Sequence, residues 1–428
     1  MVDKERVLDL HRKAQGKMEA MPKVMIDNEN ELSIYYTPGV SYVSEEIRRD
    51  ADLAYEYTSK SNTIAIISDG TRILGLGNIG PFAGIPVMEG KAALFKKFGG
   101  VNAVPLCIAT TDEDEITRLV KDISPNFGGI NIEDIESPKS FRIVERLSKE
   151  LNIPIFHDDR YGTGVVVLAA LINSLKLAGK ARHANIVVNG AGSAGFGIAT
   201  QLVNSGFRNI VVLDKNGAIY KGREEGMNPF KKELAECTNK NLKAGDLDDI
   251  VNGADVLIGA SEKGAFDPDH IALMNDKPIV FALANPYPEI EYDKAKNAGA
   301  YIVATGRSDK PNQVNNILAF PGIMRGLLDS RAKAVSHKML HSAAVALAKG
   351  VGRRLNAEFI VPYALDREFS LKTVPKIAAS VAESAVSEGL ARIPISYEEA
   401  FRNAARLIRR HERMERRMKG FLVGEGKG

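Results

Sequence analysis

The chain has 428 residues, a formal net charge of +3 at pH 7 and two cysteines. This length predicts two or three domains with sizeable hydrophobic cores, the nearly balanced charge argues against a nucleic-acid partner, and the cysteine count excludes a disulfide framework or a zinc ribbon. The charged N-terminus lacks the apolar core of a signal peptide and no apolar run is long enough to span a bilayer, so we expect a cytoplasmic protein without a membrane partner.

The first part of the chain alternates short apolar runs with segments of helical periodicity. The runs span residues 63–68, 103–108, 129–132 and 153–156, and the helical segments span residues 91–98, 112–123 and 137–151. Such alternation is typical of a parallel α/β sheet. We therefore predict an N-terminal α/β domain over residues 1–160.

Two pairs of adjacent acids lie at the ends of two runs in this domain. Glu133 and Asp134 close one run, and Asp158 and Asp159 close the next, with Asp158 25 positions after Glu133. A strand, a helix and a second strand fit this spacing, so both pairs should reach one carboxyl edge of the sheet, where α/β proteins bind ligands. Clustered acids need a cation or protons to neutralise them. Because oxygen is the only donor, the pattern predicts a Mg²⁺ or Mn²⁺ site with a catalytic neighbour.

A second α/β unit follows an apolar helix predicted over residues 161–178. Its strand-like runs span residues 185–189, 209–213, 256–259, 278–284 and 301–304. This repetition is typical of doubly wound nucleotide-binding folds, so we predict a Rossmann-like domain over residues 161–325. We expect residues 326–428 to be helical and to pack back on the core or form a subunit contact. Helices are predicted there over residues 342–349, 377–389 and 397–418.

One Gly-x-Gly-x-x-Gly string, at residues 190–195, has the context of a dinucleotide-binding turn. It follows a strand, opens an apolar helix and precedes Asp214, which ends the next strand 24 positions after Gly190. In such a turn the glycines let the backbone approach a pyrophosphate, and the helix N-terminus offers it free N–H groups. The predicted cofactor contacts are Gly190, Gly192, Ser193, Ala194, Gly195 and Asp214.

The identity of the cofactor stays open between NAD and NADP. Asp214 favours a free ribose diol, whereas Lys215, Lys221 and Arg223 could receive a 2′-phosphate. A similar glycine string at residues 75–80 has no such context. Because prolines and a glycine follow it and should interrupt any immediate helix, we predict a loop there.

Several segments, taken in chain order, resemble the malic enzymes, which are metal-dependent NAD(P) oxidative decarboxylases of malate. The resemblance extends from Tyr36 to Gly322, about two-thirds of the chain. The matching segments are residues 36–40, 68–77, 84–87 with Lys91, 132–134, 157–164, 190–195, 284–286, 315–316 and 320–322. The resemblance implies that the protein is a homodimer and that it converts malate to pyruvate and CO₂.

The resemblance also implies a role for each matching residue. Glu133, Asp134 and Asp159 would bind the metal, and Asp158 would support Lys91 as the general base, whose pKa must then be lowered by burial or the cation. Tyr36 would be the general acid. The implied contacts to malate carboxylates are Arg72, Asn285, Asn315 and Asn316, with Asn285 also bordering the cofactor.

Two other functions use the same residues differently. A malolactic enzyme would convert malate to lactate and retain its NAD. A catalytically idle nucleotide-binding sensor would need only the turn at Gly190, and the presence of Tyr36, Lys91 and all four acids argues against it.

Overall fold

Two β-sheets, each built mainly of parallel strands, organise the chain. The computed structural model describes residues 3–424. The strands are β1 (Thr63–Ser68), β2 (Asn102–Cys107), β3 (Gly129–Ile132), β4 (Ile155–His157), β5 (Ile186–Asn189), β6 (Ile210–Asp214), β7 (Gly217–Ala218), β8 (Val256–Gly259), β9 (Ile279–Ala282) and β10 (Ile302–Thr305). Each predicted apolar run contains a strand whose ends differ by at most a few residues.

Helices connect the strands and make up both ends of the described chain. They are α1 (Lys4–Ala14), α2 (Glu29–Tyr35), α3 (Val40–Arg49), α4 (Ala54–Tyr57), α5 (Gly80–Gly99), α6 (Glu113–Ile123), α7 (Lys139–Glu150), α8 (Asp158–Ala178), α9 (Ser193–Asn204), α10 (Pro229–Cys237), α11 (Leu247–Val251), α12 (Pro268–Ala272), α13 (Tyr292–Asn297), α14 (Phe320–Asp329), α15 (His337–Lys349), α16 (Val374–Ser387) and α17 (Tyr397–Gly424). The predicted α/β fold class is confirmed.

The first sheet has the strand order β2-β1-β3-β4, and all of its pairs are parallel. Strands β3 and β4 are neighbours, with Ile132 opposite His157. The residues that follow these two positions are Glu133 and Asp158, so both acid pairs emerge side by side at the carboxyl edge.

The second sheet has the order β10-β9-β8-β5-β6-β7, parallel except for the short antiparallel edge strand β7. The chain leaves β5 on one side and returns to β8 on the other, which makes this pair the point where the strand order reverses. Ligands of doubly wound sheets bind in the crevice at that point. The turn at Gly190 follows β5, and Ala260 follows β8.

Helix α8 lies in the core between the two sheets. One continuous hydrophobic cluster includes residues of both sheets and of α8. By length and composition alone α8 could cross a membrane, but 72% of its apolar window is buried inside the protein. A Cβ added to Gly164 would lie 2.8 Å from the carbonyl oxygen of Gly197, so α8 and α9 cross at backbone contact. The predicted boundary between residues 160 and 161 falls within the first turn of α8.

The loop predicted after the glycine string at residues 75–80 is wrong. Helix α5 begins at Gly80 and continues through Pro81 and Pro86. Proline is favoured in the first turn of a helix, where its missing N–H has no partner to lose. Further along, burial of Met88 and Phe95 against the core outweighs the single hydrogen bond that Pro86 removes.

The N-terminal arm, residues 3–50, contrasts with the rest of the chain. Helices α1, α2 and α3 contain no buried residue. The arm touches α5 through Lys17, whose backbone N–H donates to Glu89 and whose side chain donates to the carbonyl of Pro86. Its exposed apolar side chains include Leu8, Leu10, Met21, Met25, Ile26, Leu32, Ile34, Tyr35, Tyr36 and Tyr42.

Candidate active site

Lys91 on α5 reaches the carboxyl edge of the first sheet. Its Nζ lies 2.9 Å from Glu133 Oε1 and also donates to Asp158 Oδ2, and its side chain is 11% exposed. The ring of Phe320 lies beneath it, with Nζ 4.0 Å from the ring centroid. The cation therefore lies in a protein-lined position between two acids and an aromatic face.

The lowered pKa expected for Lys91 is not what the structure gives. Burial by itself lowers the pKa of Lys91, but the charges of Asp158 and Glu133 and their hydrogen bonds more than reverse this, so the pKa lies above its ordinary value. Asp158 raises the pKa most, and Glu133 adds to it. Asp158 was predicted to support Lys91, whereas Glu133 was predicted only as a metal ligand.

Three acids, one of which is the Glu133 that contacts Lys91, form a cluster. Oxygens of Glu133, Asp134 and Asp159 lie within 4.8 Å of one another. Burial, with the charge of Asp159 adding to it, raises the pKa of Asp134 to about 7, and burial likewise raises the pKa of Glu133. Three oxygen donors with unfavourable mutual repulsion fit a hard divalent cation such as Mg²⁺ or Mn²⁺.

Asp159 differs from the other two acids because His157 lies beside it. Burial raises the pKa of Asp159, but the imidazole of His157 and the backbone N–H of Asp134 outweigh this, so the pKa is lowered. His157 is fully buried, and its Nε2 lies 3.6 Å from Asp159 Oδ2. The histidine borders the acid cluster from within the core.

Asn316 reaches Asp158, the other acid beside Lys91, from the distant chain segment before α14. Its Nδ2 donates to Asp158 Oδ2 at 3.1 Å, and its Oδ1 accepts from Thr163 Oγ1 at 3.1 Å. Asn315 behaves differently, since its Oδ1 accepts from the backbone N–H of Ile317 and caps a short 3₁₀ turn. The structure thus brings Asn316 to Asp158, while the predicted malate contact of Asn315 stays a prediction.

The turn at Gly190 has the shape that a dinucleotide requires. Gly190 has φ +123°, and a Cβ there would lie 2.2 Å from the carbonyl oxygen of Ala260. A Cβ on Gly195 would lie 1.8 Å from the carbonyl oxygen of Gly190, so the helix packs directly on the turn. Gly192 faces open space, and its nearest neighbour would be Arg72 Nη1 at 3.9 Å. A phosphate can therefore approach the backbone at Gly192.

The start of α9 supplies the remaining parts of this turn. Helix α9 begins at Ser193, so the N–H groups of Ser193 and Ala194 lack helical acceptors. Within residues 3–424, the buried Ser193 Oγ has no hydrogen-bond partner. Free donors at a helix N-terminus fit the pyrophosphate of NAD or NADP.

Asp214 ends β6 as predicted, but two cations occupy its carboxylate. Arg223 Nη1 donates to its Oδ1 at 2.9 Å, and Lys231 Nζ donates to its Oδ2 at 2.6 Å. Burial raises the pKa of Asp214, but these partners outweigh burial and hold the pKa below its usual value. The side chain is only 7% exposed.

Two family profiles match most of the chain. "Malic enzyme, N-terminal domain" matches residues 15–115, and "Malic enzyme, NAD binding domain" matches residues 161–386. The chain belongs to the malic enzyme family. The second match continues beyond β10 into helices α14, α15 and α16.

Malic enzymes from several prokaryotes resemble this chain closely. The bifunctional malic/malolactic enzyme of Bacillus subtilis is 47% identical over 94% of this chain and 98% of its own. The crystal structure of the Pyrococcus horikoshii malic enzyme superposes with a TM-score of 0.91 at 45% identity, covering 96% of each chain. That of the NAD-dependent malic enzyme from Thermotoga maritima has a TM-score of 0.84 at 45% identity, covering 89% and 99%. Relatives named NADP-dependent also match.

Two of the predicted site residues, Tyr36 and Asn285, form no side-chain hydrogen bond with Lys91 or with the acid cluster among the described residues. Tyr36 is 65% exposed on the N-terminal arm, and none of the hydrogen bonds among residues 3–424 joins its side chain to the cluster. Asn285 is also exposed, and its side chain lies against Gly306 after β10.

The malic enzyme site includes residues that sequence reasoning missed. Asn131 on β3 is fully buried and donates to Glu133 Oε2 at 2.7 Å, so it orients a predicted metal ligand. A polar residue inside an apolar strand run was the available signal for it. Thr163 and Phe320 lie in segments that carry the resemblance, but their part in the site depends on contacts that span more than a hundred residues.

Proposed function

We propose that this malic enzyme catalyses the metal-dependent oxidative decarboxylation of L-malate to pyruvate and CO₂, with hydride transfer to NAD or NADP. The observation that carries the proposal is the position of Arg72 between the two parts of the site. Its backbone N–H donates to the carbonyl of Asp134 at 3.1 Å, and its guanidinium lies beside Gly192 of the dinucleotide turn. The acid cluster and the turn therefore border one cleft.

In this proposal Glu133, Asp134 and Asp159 hold one Mg²⁺ or Mn²⁺ ion through carboxylate oxygens. Their clustering within 4.8 Å and their burial support it, because three like charges in a buried site need a cation. When bound, such an ion supplies a Lewis acid beside the 2-hydroxyl of malate. Asp158 is not a ligand and stays with Lys91.

The chain's own residues bind malate and move its protons. Glu133 is one of the two acids that raise the pKa of Lys91, and a cation held by Glu133 would offset that charge and let Lys91 become neutral. Neutral Lys91 Nζ then takes the proton of the 2-hydroxyl as the hydride leaves C2, and Asp158, itself held by Asn316, keeps Lys91 in place. A bound nicotinamide supplies the hydride acceptor. The C3–C4 bond of the resulting oxaloacetate then breaks, CO₂ leaves, and Tyr36 gives a proton to C3. Arg72, Asn285 and Asn316, with Asn315 as a neighbour, bind the carboxylates of malate.

We further propose that the enzyme is a homodimer joined through the N-terminal arm. An arm without buried residues that exposes this many large apolar side chains needs a covering partner. A general acid must come within hydrogen-bond reach of the reacting carbon, and Tyr36 in the single chain is exposed instead. We propose that the association of two arms brings Tyr36 into an active site.

Among the cofactors, we propose that NADP is preferred. The carboxylate of Asp214 already accepts from Arg223 and Lys231, so it has little capacity left for a ribose diol. Two cations around one acid leave a net positive charge, which would attract a 2′-phosphate. The ratio of kcat/KM for NADP and NAD tests this, and a clear preference for NAD would reject it.

A malate assay with each cofactor and each metal tests the main proposal. We expect reduced cofactor and pyruvate to form in equal amounts with Mg²⁺ or Mn²⁺, and activity to vanish after complete chelation and return when metal is added. Activity that survives complete removal of divalent metal would refute the role of the three acids.

The malolactic reaction is the second candidate, because one close relative is named a bifunctional malic/malolactic enzyme. The same residues would serve it if the reduced cofactor returned its hydride to pyruvate before leaving. Lactate without accumulation of reduced cofactor would favour this reaction over the main proposal.

We propose a cytoplasmic location, as predicted, because both cysteines are unpaired. Cys107 and Cys237 are both free thiols in the structure. A reducing compartment keeps such thiols unpaired.

A further inference from the structure

Glu289 is a buried carboxylate that joins two loops at the carboxyl edge of the second sheet. It is 0% exposed, and its Oε1 accepts from the backbone N–H of Ser261, after β8, at 2.9 Å. Its Oε2 accepts from the backbone N–H of Ala284, after β9, at 2.9 Å. One side chain thus satisfies a donor from each of two neighbouring strand ends.

The surroundings of Glu289 are closely packed and supply two backbone donors. A Cβ added to Gly259 would lie 2.4 Å from Glu289 Cδ, so only glycine leaves room for the carboxyl group there. Burial raises the pKa of Glu289 above its usual value, and the N–H groups of Ser261 and Ala284 offset only part of that shift. No lysine or arginine within residues 3–424 forms a salt bridge with it. Burying a carboxyl group without a counter-charge costs free energy, and the hydrogen bonds from Ser261 and Ala284 offset part of that cost.

Each of these loops contacts a segment beside the cleft that the acid cluster and the dinucleotide turn border. Ala260 packs its carbonyl oxygen against Gly190, so the loop after β8 supports the dinucleotide turn. Ala284 precedes Asn285 and Pro286, which meet the first domain, since a Cβ on Gly75 would lie 2.7 Å from Pro286 Cδ. Gly75, the first residue of the glycine string at residues 75–80, thus allows a close contact with Pro286.

We infer that Glu289 is a positioning residue that fixes the distance between the dinucleotide turn and Asn285 and keeps the Asn285–Pro286 turn against the first domain. The inference rests on the proposed function, because Asn285 matters only if malate binds beside it. Glu289 itself touches neither substrate nor cofactor.

Replacement by the amide of similar size, Glu289→Gln, tests this. The amide turns one acceptor into a donor facing a backbone N–H, so one of the two loops must move. We expect kcat/KM for malate to fall by ~10²-fold, the effect of a displacement of about 1 Å near reacting groups. We expect the Kd of NADPH, followed by its own fluorescence without malate, to rise about 10-fold. Both are measured well below the melting temperature.

Glu291→Gln is the matched control, because Glu291 is exposed two residues further along the same loop. It should leave kcat/KM and the Kd of NADPH unchanged. Gly259→Ala, which displaces the Glu289 carboxylate without altering it, should reproduce the loss. A lower melting temperature with unchanged kinetics and NADPH affinity would mean that Glu289 is merely structural and would overturn the inference.

The binding measurement separates this inference from the proposed function. A wild-type protein that does not oxidise malate would refute the proposed function. A weaker NADPH affinity in Glu289→Gln would still support the positioning role in that case, and an unchanged affinity would reject it.

Discussion

At the scale of single residues, neighbours in sequence have different partners in space. Asp158 accepts from Lys91 and Asn316, whereas Asp159 joins the cluster with Glu133 and Asp134. Both acids are in the first turn of α8, where consecutive side chains point about 100° apart. The helix start therefore directs one acid to Lys91 and the other to the three-acid cluster, which matches the two roles proposed for them.

Removal of either proposed acid–base group should lower turnover sharply. We expect Lys91→Ala and Tyr36→Phe each to reduce kcat by ~10²–10⁴-fold, the usual contribution of one such group. Steady-state kinetics with malate, NADP and Mn²⁺ measures this. Lys97→Ala is the control, because Lys97 is on the same helix and pairs with Glu415 far from the acids. Normal turnover in Lys91→Ala or in Tyr36→Phe would remove that residue from the mechanism.

At the scale of elements, single carboxylates connect neighbouring strands at both edges of the second sheet. Glu289 does so at the carboxyl edge. At the amino edge, Asp255 lies just before β8 and accepts from the backbone N–H of Asn185, just before β5, at 2.8 Å. It also accepts from Asn275 Nδ2 at 3.0 Å and from Lys180. Strands β5 and β8, which border the cofactor crevice, are thus also joined by a side-chain hydrogen bond at their amino ends.

The contribution of Asp255 should depend on pH. Burial raises its pKa, but Lys180 and the N–H of Asn185 outweigh burial, so the pKa of the folded protein is lowered. Its stabilisation is present above the unfolded pKa of about 4 and is lost as pH falls through the lower folded pKa. We expect Asp255→Asn to reduce the free energy of unfolding by about 1 kcal/mol at pH 7, a small value because solvent screens this edge.

Urea unfolding at pH 7 and near pH 3 measures this difference. The gap between wild type and Asp255→Asn should narrow at the lower pH, because the stabilisation from ionised Asp255 declines once the pH falls below the pKa of the unfolded chain. Asp276→Asn, at an exposed acid close by, should leave stability unchanged at both values. A gap that persists at low pH would mean that the charge of Asp255 does not carry the effect.

At the scale of the whole molecule, the core and the N-terminal arm differ in how much of their apolar surface is buried. One hydrophobic cluster continues through both sheets and buries 14 of the 21 residues of α8. The arm is anchored to α5 by Lys17 and exposes side chains such as Met25 at 72% and Ile34 at 54%. Apolar surface of this extent costs free energy in water unless a second copy covers it.

Charges placed on the arm should therefore separate the dimer. We expect Met25→Asp with Ile34→Asp to shift the protein from dimer to monomer in sedimentation velocity and to reduce activity together with the loss of dimer. Leu365→Asp is the control, because Leu365 is 66% exposed outside the arm. A wild type that is monomeric at assay concentration, or an arm variant that stays dimeric, would contradict the proposed interface.

The sequence by itself determined the strands, the acid pairs and the turn at Gly190, because these depend on local patterns. Buried strands read as apolar runs, and the two acid pairs meet because β3 and β4 are parallel neighbours. Only the tertiary structure decided which partners these residues have. The pairing of Asp214 with Lys231, the second acid at Lys91 and the buried Glu289 join separate segments. Burial and Coulomb interactions between such segments depend on how the elements pack, and that information is not contained in any local window of the chain.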